Sequence, residues 1–254
     1  MYNDLFKMGP VVIRGYGLMI GIGVLCALLV AIQRAKKKGA DSDTVYNLAI
    51  IALIFGFIGA KLLYCMVEIK SLLRNPSQAL SGNGFVVYGG IIGGILATII
   101  YCKLKNVCFL KYFDLMVPSV AIAQGFGRIG CFLAGCCYGR RTDSFFGVSF
   151  QNSSIAPNQV KLIPTQLFSS AGDFFIAIVL LIYARKSRRM ARVGALYLIL
   201  YSVGRFIIEF FRSDYRGSIG ILSTSQFISL VSLVIGISLF FLDKFPVDWK
   251  SKAI

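Results

Sequence analysis

The chain has 254 residues, 57% of them hydrophobic, and a mean hydropathy of +0.75. This composition excludes an ordinary soluble domain and favours a protein with several membrane spans. The formal net charge of +16 comes from 27 Lys and Arg against 11 Asp and Glu. Long apolar runs exclude a soluble nucleic-acid-binding protein, so the positive charge is assigned to membrane orientation and to contact with anionic lipid.

Seven apolar stretches meet or approach the length of about 20 residues that a helix needs to cross a bilayer. No internal repeat or low-complexity linker separates them. The sequence therefore predicts an all-α integral membrane protein in which residues 1–254 form a single seven-span membrane domain. The predicted spans are Val11–Gln33, Val45–Ile69, Phe85–Cys102, Tyr112–Ala134, Gln166–Ala184, Val193–Phe211 and Ile221–Leu242.

Basic residues in the short loops predict the orientation, because Lys and Arg concentrate in cytoplasmic loops. The loops after the first, third and fifth spans, together with the C-terminal tail, carry 15 Lys and Arg, and the opposite side carries 9. The N-terminus is therefore predicted outside and the C-terminus in the cytoplasm. The longest loop, at about residues 138–164, is then an outward-facing head segment, either a cap over a site or a solvated connection.

Ionisable and phenolic side chains inside the predicted spans point to a functional site, because burying them in lipid is costly and they normally face protein or water. They come from five different spans, yet the orientation places all of them in the outer half of the bilayer. They are Tyr16, Lys61, Tyr88, Arg128, Arg205, Glu209 and Arg212. Ion pairs that only hold helices together, such as Arg205 with Glu209, are the structural alternative.

Arg128 and Arg205 are the best candidates for binding, because the acids at their level do not neutralise every cation. Arginine offers phosphate a rigid fork of donors and stays charged at any working pH. This pattern predicts a site for an anionic lipid headgroup. Asp114 lies near the cytoplasmic end of its span and Asp173 lies alone at moderate depth, so both are interpreted as packing or folding residues.

The sequence contains no histidine, which removes the commonest general base and the commonest metal ligand. Three of the seven cysteines lie close together at positions 131, 136 and 137 without the CxxC spacing of a thiol redox site or half a zinc site. Plain packing is the preferred interpretation of this group, and a disulfide or a metal site is the alternative. No metal and no cofactor is predicted.

Five segments resemble, in the same order along the chain, motifs of the bacterial prolipoprotein diacylglyceryl transferases. Five ordered matches are far more specific than any one of them alone. The segments are IRGYGLM at Ile13–Met19, GFVVYGGIIGG at Gly84–Gly94, GRIGCFLAGCCYG at Gly127–Gly139, IPTQLF at Ile163–Phe168 and GRFIIEFFRSD at Gly204–Asp214.

The resemblance implies a multi-pass enzyme of the bacterial inner membrane that needs no cofactor. Such an enzyme moves the diacylglyceryl group of phosphatidylglycerol onto the lipobox cysteine of a prolipoprotein signal peptide and releases glycerol phosphate. It implies that Arg128 and Arg205 bind the lipid phosphate and that Arg128, Arg205 and Tyr88 are catalytic. The other residues that it places in the substrate site are Tyr16, Gly89, Gly90, Gly130, Gly139, Glu209 and Arg212.

Three positions depart from the pattern of the family. Tyr88 stands where many members have a histidine, and Cys131 and Cys136 stand where many have asparagine and glutamate. Two alternatives accompany the transferase. One is a phosphatidylglycerol-binding paralogue with another acceptor or with no activity, and the other is an anion transporter whose path is lined by the same arginines.

Overall fold

A computed structural model describes residues 4–8, 11–69, 73, 84–151, 153, 155–187, 189–214 and 217–242. This part of the chain contains seven helices of 18 residues or more. They are α1 (Gly15–Lys38), α2 (Ser42–Val67), α3 (Val87–Leu104), α4 (Phe109–Ala134), α5 (Thr165–Lys186), α6 (Arg192–Glu209) and α7 (Thr224–Leu242). Three antiparallel strand pairs accompany them: β1 (Asp4–Met8) with β2 (Val11–Arg14), β3 (Val148–Ser149) with β4 (Lys161–Leu162), and β5 (Ser218–Ile219) with β6 (Leu222–Ser223).

Six of these seven helices are long and apolar enough to cross a membrane, and α6 is the exception. Its 18 residues include the charged side chains of Arg192, Arg205 and Glu209. Large apolar side chains on the spanning helices are exposed, among them Leu29 at 63% and Phe57 at 69%. Such surfaces are typical of helices that contact lipid. The prediction of an all-α integral membrane protein therefore holds for six candidate spans.

The predicted starts of the first and last spans were wrong for a common reason. The apolar run that begins at Val11 does not enter a helix until Gly15, because Val11–Arg14 pairs with β1. The run that begins at Ile221 enters α7 only at Thr224, because β6 first pairs with β5. Hydropathy alone does not distinguish an apolar strand from the first turn of an apolar helix.

The contacts divide the chain into two compact units. One contains the described residues up to 31 and residues 113–242. Its hydrophobic core joins α4, α5 and α6 through side chains such as Val117, Leu180 and Val193, which are at most 3% exposed. Asp114 on α4 accepts a hydrogen bond of 2.7 Å from the backbone N–H of Gly194 in the first turn of α6, where a carboxylate is favourable.

The second unit contains residues 32–112, with α2 and α3 packed closely together. A Cβ atom added at Gly89 would lie 2.4 Å from the carbonyl oxygen of Gly59 and 2.5 Å from Cβ of Leu63. A Cβ atom at Gly93 would lie 2.6 Å from the carbonyl oxygen of Phe55. Small residues at these positions therefore let the two helix backbones approach each other.

Candidate functional site

The candidate site begins at the end of α4, where Gly135 terminates the helix in the left-handed region with φ of +69°. Its N–H donates to the carbonyl oxygen of Phe132 at 3.1 Å, and the N–H of Cys136 donates to that of Cys131 at 3.1 Å. These two bonds form a Schellman motif, in which side chains three positions before the cap and two positions after it meet. Here those side chains are Cys131 and Cys136.

Cys137 completes a cluster of three thiols, which we call the cysteine cluster. The backbone of Cys137 has a φ of +62°, so the chain turns back toward α4. The sulfur atoms of Cys131, Cys136 and Cys137 all lie within 4.8 Å of one another, and no disulfide joins them. Hydrogen bonds with the other two thiols raise the pKa of Cys136, because they favour its protonated form.

The start of α5 holds the cysteine-bearing turn in place. Thr165 donates from its hydroxyl to the carbonyl oxygen of Cys137 at 2.8 Å, and Gln166 donates from Nε2 to that of Cys136 at 2.7 Å. Both side chains are buried, with residue exposures of 1%. The segments that resemble family motifs at Gly127–Gly139 and Ile163–Phe168 are therefore in direct contact.

Gly139 contacts the segment that follows α6. Its N–H donates to the carbonyl oxygen of Ile163 at 2.9 Å, and it forms an antiparallel bridge with Arg212. An added Cβ atom would lie 2.7 Å from the carbonyl oxygen of Ile163 and 2.8 Å from that of Phe211. Only glycine fits at this crossing of three backbone segments.

The first helix joins the same unit through Tyr16, the second residue of α1. A Cβ atom at Gly130 would lie 3.1 Å from Cδ2 of Tyr16 and 3.2 Å from its carbonyl oxygen. Tyr16 also interacts electrostatically with Arg128 and with the cysteine cluster. Four of the five segments identified in the sequence are thus brought together by the fold.

The two terminal nitrogens of Arg205 have different surroundings. Nη2 donates to Oγ of Ser225 on α7 at 2.9 Å and lies 2.7 Å from Oε2 of Glu209, a close ion pair without hydrogen-bond alignment. The side chain is only 10% exposed, and Nη1 is buried with no hydrogen-bond partner among the described residues. An unsatisfied buried donor costs about 1–3 kcal/mol, so this nitrogen has a strong requirement for an acceptor.

Arg212 is neutralised by its own neighbour. It donates two hydrogen bonds to Asp214, from Nε to Oδ1 at 2.9 Å and from Nη2 to Oδ2 at 2.7 Å, and its Nε lies 4.0 Å from Oε2 of Glu209. Burial is the largest influence and disfavours the charged form, but the interactions with Asp214 and Cys137 together outweigh it and raise the pKa of Arg212. Such a paired arginine supports the turn after α6.

Arg128 lies among charged and phenolic groups without being paired to any of them. It interacts electrostatically with Arg205 from α6 and with Asp173 from α5. No hydrogen bond or ion pair to Arg128 is found in the described part of the chain. Arg128 and Arg205, the two cations that the sequence singled out, therefore influence the same region.

Asp173 and Tyr201 were missed by sequence reasoning as members of this region. Asp173 was predicted to lie alone, but it interacts electrostatically with both Arg128 and Arg205. It is 5% exposed, and its Oδ2 has no hydrogen-bond partner among the described residues. Tyr201, which also interacts electrostatically with Arg128, precedes Arg205 by four residues, so helical spacing could have identified it.

The remaining predicted residues lie in the unit of residues 32–112. Tyr88 is in the first turn of α3 and is 36% exposed, and Gly89 and Gly90 face the backbone of α2. Lys61 on α2 reaches the carbonyl oxygen of Gly84 at 3.5 Å, and its Nζ lies 5.1 Å from the ring centre of Tyr64. The catalytic role of Tyr88 and the substrate contacts of the two glycines stay predictions.

The helices of spanning length define a multi-span membrane protein. A sequence profile of the prolipoprotein diacylglyceryl transferases matches residues 3–242. The chain belongs to this family, which confirms the resemblance noted in its sequence.

Curated relatives cover nearly the same length. The phosphatidylglycerol–prolipoprotein diacylglyceryl transferase of Clostridium tetani is 52% identical over 95% of this chain and 97% of its own length. The second such transferase of Clostridium perfringens is 48% identical, over 91% of each chain. That of Clostridioides difficile is 37% identical, also over 91% of each. The similarity therefore includes both units of the fold.

Proposed function

We propose that this chain transfers the diacylglyceryl group of phosphatidylglycerol to the thiol of the lipobox cysteine of prolipoproteins, releasing glycerol phosphate. Family membership supports the reaction, and one structural observation supports the position of the site. This observation is the buried Nη1 of Arg205, which lacks a partner in the described part of the chain while Arg128 lies within electrostatic reach. A phosphate oxygen is the acceptor that both guanidinium groups prefer.

The proposed reaction exchanges one bond to the glycerol carbon for another. The lipobox thiol loses its proton, and the thiolate attacks the glycerol carbon that bears the phosphate ester. A carbon–sulfur bond forms while the carbon–oxygen bond breaks, and glycerol phosphate leaves with the electron pair. Arg128 and Arg205 stabilise the negative charge that grows on the departing phosphate, and a fixed donor of this kind contributes about 2.7–4 kcal/mol.

The other site residues have supporting roles in this proposal. Tyr16 and Glu209 shape the lipid site, and Arg212 holds the turn that carries Gly139. The chain has no histidine, so Tyr88 in its tyrosinate form accepts the proton of the thiol and becomes a neutral phenol. Gly89 and Gly90 let α3 pack closely against α2, and Gly130 leaves room for Tyr16 of α1.

For the membrane topology, we propose seven spans in one membrane domain of residues 1–254, with α6 as the seventh. The N-terminus and the head segment of residues 138–164 face outward, and the C-terminus is cytoplasmic. The test is labelling of intact cells with a membrane-impermeant maleimide in a background in which every native cysteine is replaced by serine. Ser144→Cys in the head segment is expected to react and Lys37→Cys is expected to be protected; the reverse pattern would overturn the orientation.

The decisive test of the function is mass spectrometry of a lipobox peptide incubated with the purified protein and phosphatidylglycerol. The peptide is expected to gain one diacylglyceryl group. Arg128→Ala is expected to abolish the transfer while the protein stays folded in membranes. Arg185→Ala, which removes an exposed arginine from the last turn of α5, is the matched control and is expected to leave the transfer unchanged. Normal transfer by the Arg128→Ala variant would refute the assignment.

A further inference from the structure

The proposed reaction does not involve the three thiols of the cysteine cluster. Its three sulfur atoms, each half-buried, lie within 4.8 Å of one another. In tetrahedral zinc–thiolate sites the metal–sulfur distance is about 2.3 Å, which places the sulfur atoms about 3.8 Å apart. The cluster therefore needs only small side-chain rotations to surround one ion.

The fold prepares this arrangement through its backbone. The Schellman motif at Gly135 fixes the distance between Cys131 and Cys136, and the positive φ of Cys137 turns the third thiol toward them. Thr165 and Gln166 hold the carbonyl groups of Cys137 and Cys136. Three ligands on a braced turn lose little conformational freedom when an ion binds.

A buried polar atom beside the cluster is a second observation. Oε1 of Gln166 is buried with no hydrogen-bond partner among the described residues, although Nε2 of the same amide is bonded to the carbonyl oxygen of Cys136. Gln166 is only 1% exposed. A buried acceptor of this kind is satisfied by a water molecule or another donor group held at the cluster.

Two arginines lie within electrostatic reach of the cluster. Arg128 interacts with Cys131 and Cys137, and Arg212 interacts with Cys137. Thiolates are the ligands that soft metal ions prefer, and the chain has no histidine to favour a nitrogen-binding ion. A divalent ion and three thiolates together carry one net negative charge, which the neighbouring arginines stabilise.

We propose that Cys131, Cys136 and Cys137 form a binding site for one thiophilic metal ion of the Zn(II) or Cu(I) class. Binding replaces three thiol protons with one ion and releases those protons to solvent. For Zn(II), a water molecule supplies the fourth position of the tetrahedron. Many family members carry asparagine and glutamate at two of the three positions, so the site is not general to the family.

The metal site has a consequence for catalysis, which rests on the proposed function. Arg128 is shared between the anionic metal–thiolate cluster and the lipid phosphate. An occupied cluster therefore competes with phosphatidylglycerol for the same guanidinium group. Metal binding is expected to lower the rate of transfer, and its removal by a chelator is expected to restore it.

Metal binding is tested on the full-length protein in detergent, reduced and then freed of reductant. Cd(II) is added as a spectroscopic probe and Zn(II) as a competitor, and thiolate-to-cadmium absorption and bound metal are measured. One ion per chain is expected. Replacing all three cysteines by serine is expected to weaken binding by at least about 100-fold, since even partners outside the ligand shell change metal affinity by 10–100-fold.

The matched control replaces Cys26, Cys65 and Cys102 by serine and is expected to keep the ion. Equal binding by the variant without the cluster, or no binding by the parent chain, would overturn the proposal. So would a disulfide within the cluster, detected by mass spectrometry after the thiols are alkylated in intact membranes. These readouts do not depend on transfer activity.

The effect on catalysis is measured separately with protein that is loaded with Zn(II) and desalted before the lipobox peptide is added. Each variant is compared with its own metal-free rate, so that a change in basal activity does not enter the comparison. The parent chain is expected to lose at least half of its rate, and the variant without the cluster is expected to lose none. Metal binding without this loss would overturn the competition for Arg128 and leave the proposed transferase function untouched.

Discussion

Replacing Arg205 by lysine separates the two tasks of its guanidinium group. Nη2 already serves Ser225 and Glu209, whereas Nη1 has no partner in the described part of the chain. Lysine keeps the positive charge but has a single nitrogen. Once that nitrogen pairs with Glu209, no donor remains at the position of Nη1. The substitution therefore removes the proposed phosphate contact while it retains the ion pair.

The expected loss follows from the value of one fixed donor to a developing oxyanion. Such a donor contributes about 2.7–4 kcal/mol, or about 100- to 1000-fold in kcat. Ser225→Ala removes only the hydrogen bond to Nη2, which contributes about 1.5–3 kcal/mol to the fold because the donor is charged, and which is present in the ground state and the transition state alike. We therefore expect Arg205→Lys to be far more damaging than Ser225→Ala, although both leave a cation at the site.

The assay is the initial rate of diacylglyceryl transfer to a lipobox peptide in detergent–lipid micelles, at several phosphatidylglycerol concentrations. We expect Arg205→Lys to lower kcat more than it changes KM, because the donor acts mainly on the charge that develops as the phosphate leaves. A rate within tenfold of the parent would refute the assignment of Nη1. Equal losses in Arg205→Lys and Ser225→Ala would show that the position of the side chain, and not its second nitrogen, is what matters.

Two further predictions concern groups in the unit of residues 32–112. Tyr88→Phe is expected to lower the transfer rate by about 100-fold or more, the usual contribution of a general base; an unchanged rate would make Tyr88 a packing residue. Asp41 caps α2 by accepting hydrogen bonds from Thr44 and Asp43, which lower its pKa below 3.8. Its charged form therefore stabilises the fold above that pH and is lost below it. In thermal unfolding in detergent near neutral pH, Asp41→Ala is expected to lower the free energy of unfolding by about 1 kcal/mol and Asp41→Asn by much less. The advantage of Asp over Asn is expected to disappear as the pH falls below 3.8. Equal stability of all three chains would refute the cap.

The hydrophobic helices were predictable because a continuous apolar run carries its own signal. The stretch predicted as Val45–Ile69 corresponds to α2 at Ser42–Val67, a shift of two or three residues at each end. The first span was less accurate, because pairing between β1 and β2 takes its first four residues. Strand pairing of this kind is a tertiary event that local hydropathy does not contain.

The candidate site was predictable where a motif marked it and unpredictable where the fold alone created it. Arg128 and Arg205 stood out because charged residues are rare in apolar runs. The cysteine cluster was interpreted as packing, because positions 131, 136 and 137 lack the CxxC spacing of a metal or redox site. Gly135 was the available signal: a glycine that ends a helix brings the third residue before the cap against the second residue after it.

Asp173 shows most directly what the sequence could not supply, and it leads to the last prediction. On α5 it has no charged neighbour at helical spacing, so it was interpreted as a packing residue. In the fold it faces the arginines that we propose to hold an anionic lipid. A carboxylate at this position competes with the incoming phosphate for the two arginines and helps to expel the product, which carries more negative charge. Asp173→Asn is expected to lower KM for phosphatidylglycerol severalfold and to lower kcat through slower release of glycerol phosphate. Product inhibition by added glycerol phosphate should become stronger in the same variant. A KM that rises, or product inhibition that stays the same, would show that Asp173 only packs against its neighbours.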